Sequence, residues 1–224
     1  MSNGRAIMTD YQGSTIPKWG RFEQHFTSAA GYANPFQDVQ LTAELTSPTG
    51  RIYSAVGFWD GGNSWRLRFA PDEAGEWTYV TTCTNPDDRG LHQQRGSFAC
   101  GQAEGATVFE QHGPLRLAAS RRYFVHADGT PFFWMADTGW NGPLRSTDAE
   151  WEHYLAVRTR QGFTTVQWVA TQWLAAPDGD IDGQYPYSSS EQIEVNPAFF
   201  QRLDRKIERM NAAGLLSVPV MLWA

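Results

Sequence analysis

Cysteine is scarce in this chain. Cys83 and Cys100 are the only two in 224 residues, too few for a disulfide scaffold or a zinc site. No apolar run approaches the ~20 residues of a membrane span, and the opening MSNGRAIMTDYQG lacks a charged-then-apolar signal. A cytoplasmic protein, or a secreted one whose leader is absent from this sequence, is therefore expected, with no membrane partner. Basic clusters are also missing and the net charge is −6, which removes nucleic acid as a partner. There is no G-x-S-x-G, no P-loop and no H-E-x-x-H. His25, His92, His112, His126 and His153 are scattered, which indicates neither a zinc site nor a histidine triad. No cofactor or metal is implied, and the oligomeric state is left open.

What the chain has in quantity is aromatic side chains, 14% of its residues. Much of that belongs in a core, but sugar sites also use flat aromatic faces against C–H surfaces. The pattern changes near residue 110, which predicts a multidomain β plus α/β chain. Residues 18–101 read as all-β within a domain of residues 1–105. LTAEL (Leu41, Ala43, Leu45) and WRLRF (Trp65, Leu67, Phe69) alternate apolar with polar, the period of half-buried strands. Turn signals SPTG, DGGN and PDEAGE lie between them, which predicts an immunoglobulin-like antiparallel β-sandwich. A hairpin centred near Gly90 would set Cys100 opposite Cys83, as a cross-strand disulfide or as two packed reduced thiols.

Residues 106–130 read as a linker and a hairpin turning at Asp128 and Gly129. From 131 the pattern becomes βαβαβ. PFFWMADTGWN, with its apolar run Pro131 to Ala136, predicts a buried parallel strand whose C-terminal end opens into a site. Thr147 and Glu150 have capping-box spacing before a helix carrying Trp151, Tyr154 and Leu155, ended by Gly162. FTTVQWVA is the second strand. Asn196 and Pro197 start another helix with Phe200, Leu203, Ile207 and Met210 on one stripe, and LLSVPVMLWA is the third strand. A closed (β/α)8 barrel takes about 250 residues. Residues 131–224 are thus expected to be the first three β/α units of a TIM barrel, incomplete at Ala224.

The segments NPF, TSPTG, GFWDGG, WRLRFAPDEAGEWTY and GSFACG resemble the β-sandwich placed before certain bacterial barrel glycosidases. HGPLRL, YFVHADGTPFFWMADTGWN, GFTTVQ, NPAFFQRLDRKIE and GLLSVPVMLW resemble the apiosidase-like glycoside hydrolase family. That resemblance implies a retaining O-glycosidase acting on a carbohydrate substrate, with an acid and a nucleophile ~5–5.5 Å apart. In such barrels the two carboxylates end the fourth and seventh strands, so the catalytic pair is expected beyond Ala224.

Sugar-binding residues are expected at the strand ends. Asp137 is read as an acceptor for sugar hydroxyls, the alternative being a loop-fixing carboxylate. Trp140 is read as a stacking face, or else a plug of the barrel mouth. Asn141, Gln167 and Trp223 complete the strand-end set, and Trp173, Tyr185 and Tyr187 in the long loop after the second strand are outer contacts. Asp178, Asp180, Asp182 and Gly183 resemble half a calcium loop, but Ser189 stands where its bidentate Glu belongs, so a solvated acidic turn is the reading. The alternative to an enzyme is a non-catalytic carbohydrate-binding or structural module.

Overall fold

The computed structural model describes residues 15–171, 175–188 and 193–221, in two compact units, Met1–Gly105 and Ala106–Ala224. The first unit contains β1 (Phe22–Thr27), α1 (Pro35–Asp38), β2 (Leu41–Thr46), β3 (Ile52–Val56), β4 (Phe58–Trp59), β5 (Ser64–Phe69), β6 (Gly75–Cys83) and β7 (Arg95–Cys100). They form two antiparallel sheets, ordered β3-β2-β6-β7 and β1-β5-β4. Strict alternation turns Leu41, Ala43 and Leu45 of β2, Trp77 and Tyr79 of β6, and Trp65 and Leu67 of β5 into one shared core. Phe22 from one sheet stacks on Phe98 from the other at 3.8 Å between ring centroids. Each such buried side chain contributes about 1.5–3 kcal/mol of transfer free energy.

The two cysteines depart from expectation. Gly75, not Cys83, lies opposite Cys100, so the thiols sit at the two ends of β6, roughly 27 Å apart along an extended strand. Both are free and buried, and burial pushes both thiol pKa values up. The register differs because β6 and β7 are joined by a longer loop rather than a tight turn at Gly90. Buried Asp88 organises that loop, accepting hydrogen bonds from Ser28 Oγ (2.6 Å), the Ala29 amide (2.9 Å), the Tyr32 hydroxyl (2.8 Å) and the Gly90 amide (3.0 Å). Opposite Cys83 stands His92, whose Nδ1 accepts the Cys83 amide at 3.1 Å.

The second unit opens with α2 (Val108–His112), β8 (Leu115–Leu117), β9 (Phe124–His126) and β10 (Pro131–Phe132). These strands form an antiparallel meander, β10-β9-β8. Asp128 and Gly129 turn β9 into β10, while a separate turn joins β8 to β9, so there are two turns where the sequence suggested one. There follow β11 (Ala136–Trp140), α3 (Gly142–Arg145), α4 (Asp148–Arg160), β12 (Thr165–Val169), β13 (Tyr187–Ser188), β14 (Glu194–Val195), α5 (Pro197–Ala212) and β15 (Leu216–Val220). β11, β12 and β15 are parallel neighbours, with Thr138, Gln167 and Val218 in one lateral row.

The run Pro131 to Ala136 is not one buried strand. Pro131 and Phe132 belong to the meander, the parallel strand begins at Ala136, and Phe133 between them is 75% exposed. Thr164 imposes the break, since its Oγ1 donates to Phe133 O (2.7 Å) and accepts the Met135 amide (3.0 Å).

α4 begins at the Thr147–Glu150 capping box, closed in both directions. α5 begins at Pro197, but the Asn196 side chain does not cap it and donates instead to Gln184 Oε1 and Tyr185 O. On α5 the buried stripe includes Phe199, Arg202, Leu203, Lys206 and Met210, with Phe200 and Ile207 only partly covered. Two cations are buried there because carbonyls lacking helical partners await them. Arg202 donates to Pro143 O and Ser146 O, each at 3.0 Å, and Lys206 Nζ to Ser146 O (3.0 Å) and Thr147 O (2.9 Å).

Candidate functional site

The C-terminal ends of parallel strands are where α/β folds place ligands, because the next loops diverge there. In this unit those ends are Trp140, Val169 and Val220. β11 carries Asp137 towards α4. Asp137 Oδ2 accepts the Tyr154 hydroxyl at 2.7 Å and Arg158 Nε, while Oδ1 accepts the Thr138 amide at 2.9 Å. Arg158 lies over the rings of Tyr154 and Phe163, 5.1 and 5.3 Å from their centroids. Burial acts to raise the Asp137 pKa, but the bonds from Tyr154 and Arg158 outweigh it and hold the carboxyl below its ordinary value. Burial, then Asp137 itself, pushes Tyr154 up to about 12. Through these bonds the carboxylate clamps β11 to α4.

The clamp needs a small residue beside it. A Cβ on Gly139 would sit 3.0 Å from Val166 Cγ1 and 3.1 Å from the Tyr154 hydroxyl oxygen. Gly139 is also the extra residue of a bulge between Thr138 and Trp140, and Trp140 follows with φ 39°. A bulge re-aims the side chains after it, and a non-glycine residue at positive φ costs about 1–3 kcal/mol. The Trp140 indole emerges 37% exposed at the end of the strand. Gln167 is exposed beside Thr138 in the lateral row. Asn141 Nδ2 donates to Ala175 O at 2.9 Å and ties this strand end to the loop after β12. Trp173 and Trp223 lie outside the described residues.

Tyr185 and Tyr187 are brought together elsewhere on the same end of the sheet. With Leu144, Ala170, Pro186 and Phe199 they line a pocket of about 240 Å³. Asp180, which also borders it, is a structural residue. Its Oδ1 accepts the amides of Asp182 and Gln184, both at 2.9 Å, and its Oδ2 is buried 3.7 Å from Arg202 Nη1. Asp182 Oδ2 lies 3.1 Å from Arg202 Nε, so the acidic turn is directed at an arginine. Among the described residues no group of three or more His, Cys, Asp and Glu is arranged to hold a metal ion. Likewise, no helix among them is long and apolar enough to cross a membrane.

Arg158, Arg202 and Lys206 were not legible as site-building residues. Arg158 lies one helical turn beyond Tyr154, and that i, i+4 spacing was the available signal. Nothing local marks Arg202 or Lys206, whose partners are carbonyls and carboxylates distant in sequence.

The three parallel strands with helices between them make this unit one of the α/β class. Residues 118–224 match the family model described as Apiosidase-like, catalytic domain. Residues 15–84 match a domain of unknown function, DUF5060. A solved structure from Bacteroides vulgatus, described as a candidate glycoside hydrolase, superposes with a TM-score of 0.75 at 26% identity, covering 93% of this chain. The chain spans 41% of the length of that protein. A family 5 glycoside hydrolase from the same organism overlaps 49% of this chain and 25% of its own, at 25% identity and a TM-score of 0.42, a level that carries no argument. No curated protein matches the sequence.

Proposed function

We propose that the chain is the N-terminal portion of a glycoside hydrolase of apiosidase-like type, acting on glycosidic bonds of oligo- or polysaccharides. The observation that carries this reading is the apiosidase-like match over the unit that holds the parallel strands. Residues 1–105 are proposed as an immunoglobulin-like sandwich, 106–130 as a linker and hairpin, and 131–224 as the first three β/α units of a TIM barrel. The two antiparallel sheets with a common core and the β11-β12-β15 order support that division.

In the mechanism proposed, retaining hydrolysis uses an acid and a nucleophile ~5–5.5 Å apart, on barrel strands other than these three. The share of chemistry assigned to this chain is substrate holding. Trp140 offers an indole face to a sugar ring, and Gln167 offers an amide that both donates and accepts. Asp137 holds β11 in place so that the Gly139–Trp140 bulge keeps its shape.

Commitment of the Asp137 oxygens to Tyr154 and Arg158 favours a second reading, a non-catalytic carbohydrate-binding or structural module. Reducing-sugar release from a panel of plant and microbial glycans by the full-length protein, with its remaining barrel strands, tests the first reading. No release from any glycan by the full-length protein, together with glycan binding by it, would overturn hydrolysis in favour of the module.

A further inference from the structure

We propose that the pocket walled by Leu144, Ala176, Pro186, Phe199, Tyr185 and Tyr187 is a binding site for a single aromatic ring rather than for a sugar. Size sets the first limit. The pocket measures about 240 Å³, and an apolar cavity of about 150 Å³ already admits benzene. One ring with one or two small substituents fits.

The hydrogen-bonding inventory sets the chemistry. A sugar carries a hydroxyl on nearly every carbon, and each one removed from water needs a partner. Most of the polar groups bordering this pocket are engaged by the protein, and the Tyr187 hydroxyl is the one phenol left to a ligand. Thr171 Oγ1 donates to Met221 O (3.3 Å), and Gln184 Oε1 accepts from Asn196 Nδ2 (3.1 Å). The Tyr185 hydroxyl is directed at Pro177 O (3.4 Å). Asp180 Oδ1 takes two backbone amides, and Oδ2 is buried next to Arg202. What the wall leaves to a ligand is mostly rings and aliphatic carbon, the lining that aromatic groups select.

Ala170 and Thr171 follow directly on the C-terminal end of β12, so the pocket lies at the same end of the parallel sheet as Trp140. Binding of a free ring needs no bond cleavage, and the inference therefore stands apart from hydrolysis. It also separates Tyr185 and Tyr187 from Trp140 in role, as ring contacts rather than outer sugar contacts.

The probe is 4-nitrophenol titrated into the full chain and followed by calorimetry, with D-xylose titrated in parallel. Saturable binding with a Kd on the order of 1 mM is expected for the phenol and none for xylose over the same range. Ala176→Leu fills the pocket and is expected to weaken phenol binding about ten-fold or more. Tyr187→Ala removes one wall from an exposed two-residue strand, and the same direction of change is expected. It decides the matter if Ala176→Leu alters the circular dichroism. Xylose binding as tight as the phenol, absence of saturable phenol binding, or wild-type affinity in the folded Tyr187→Ala chain would each overturn the proposal.

Discussion

The Tyr154 hydroxyl donates to Asp137 Oδ2 across 2.7 Å, joining the second residue of β11 to helix α4. Tyr154→Phe removes this bond while keeping the ring that stacks on Trp151, 5.1 Å between centroids. Loss of one hydrogen bond to a charged acceptor predicts a destabilisation of about 1.5 kcal/mol, read as a lower urea midpoint with an unchanged slope.

Acid should act on the same clamp. The folded pKa of Asp137 is held below its ordinary value of 3.8, so the carboxylate contributes stability that is fully present above the unfolded pKa. That contribution is lost as pH falls from about 4 through the lower folded value. Asp137→Asn is expected to be less stable than the wild type at pH 7, with the difference shrinking below pH 4. A difference that stays constant between pH 7 and 2 would exclude the carboxylate as its source.

In the first unit, Asp88 is the counterpart of that clamp. Asp88→Ala strands the Ser28 and Tyr32 hydroxyls and two backbone amides in a buried loop, an expected loss of about 3 kcal/mol. Gly90→Ala should be at least as harmful, because its Cβ would fall 1.9 Å from Thr27 O, a main-chain atom with nowhere to move. Thermal unfolding of both variants measures the effect.

The thiols provide a covalent check. Cys83 ends β6 and Cys100, on β7, lies opposite the start of β6, so mass measurement under non-reducing conditions should find both thiols free. Alkylation should be slow in the native protein and complete after denaturation, since both groups are buried and their pKa values raised. A native mass two hydrogens lighter would contradict the register.

Lys206 has no exposed surface, yet its ammonium reaches Asp148 Oδ1 at 3.0 Å as well as the carbonyls of Ser146 and Thr147. Lys206→Met keeps the apolar stem and deletes the donors, and a cost of about 2 kcal/mol is expected. Burial lowers the folded pKa of Lys206 below its ordinary 10.5. Relative to Lys206→Met, the wild type should therefore gain stability as pH rises from that lowered value towards 10.5.

Much of the secondary structure was local information. The alternation in LTAEL and WRLRF, the Thr147–Glu150 capping box and the Asn196–Pro197 start each depend on residues within a turn or two, and each matches an observed element. The strand within PFFWMADTGWN was displaced because apolar character alone does not say which sheet a residue joins. Thr164, 29 residues after Met135, made that choice.

By itself, the sequence determined where most strands and helices form, the change of pattern near residue 110 and the motifs that resemble the apiosidase-like family. Side-chain periodicity, capping and turn chemistry act over short separations, so they are written in order along the chain. Tertiary structure alone decided that Asp137 serves α4, that the two cysteines never meet, and that Tyr185 and Tyr187 share a pocket with Leu144 and Phe199. Each of those outcomes depends on pairing register or on groups distant in sequence, and register is settled by the whole set of contacts a strand makes.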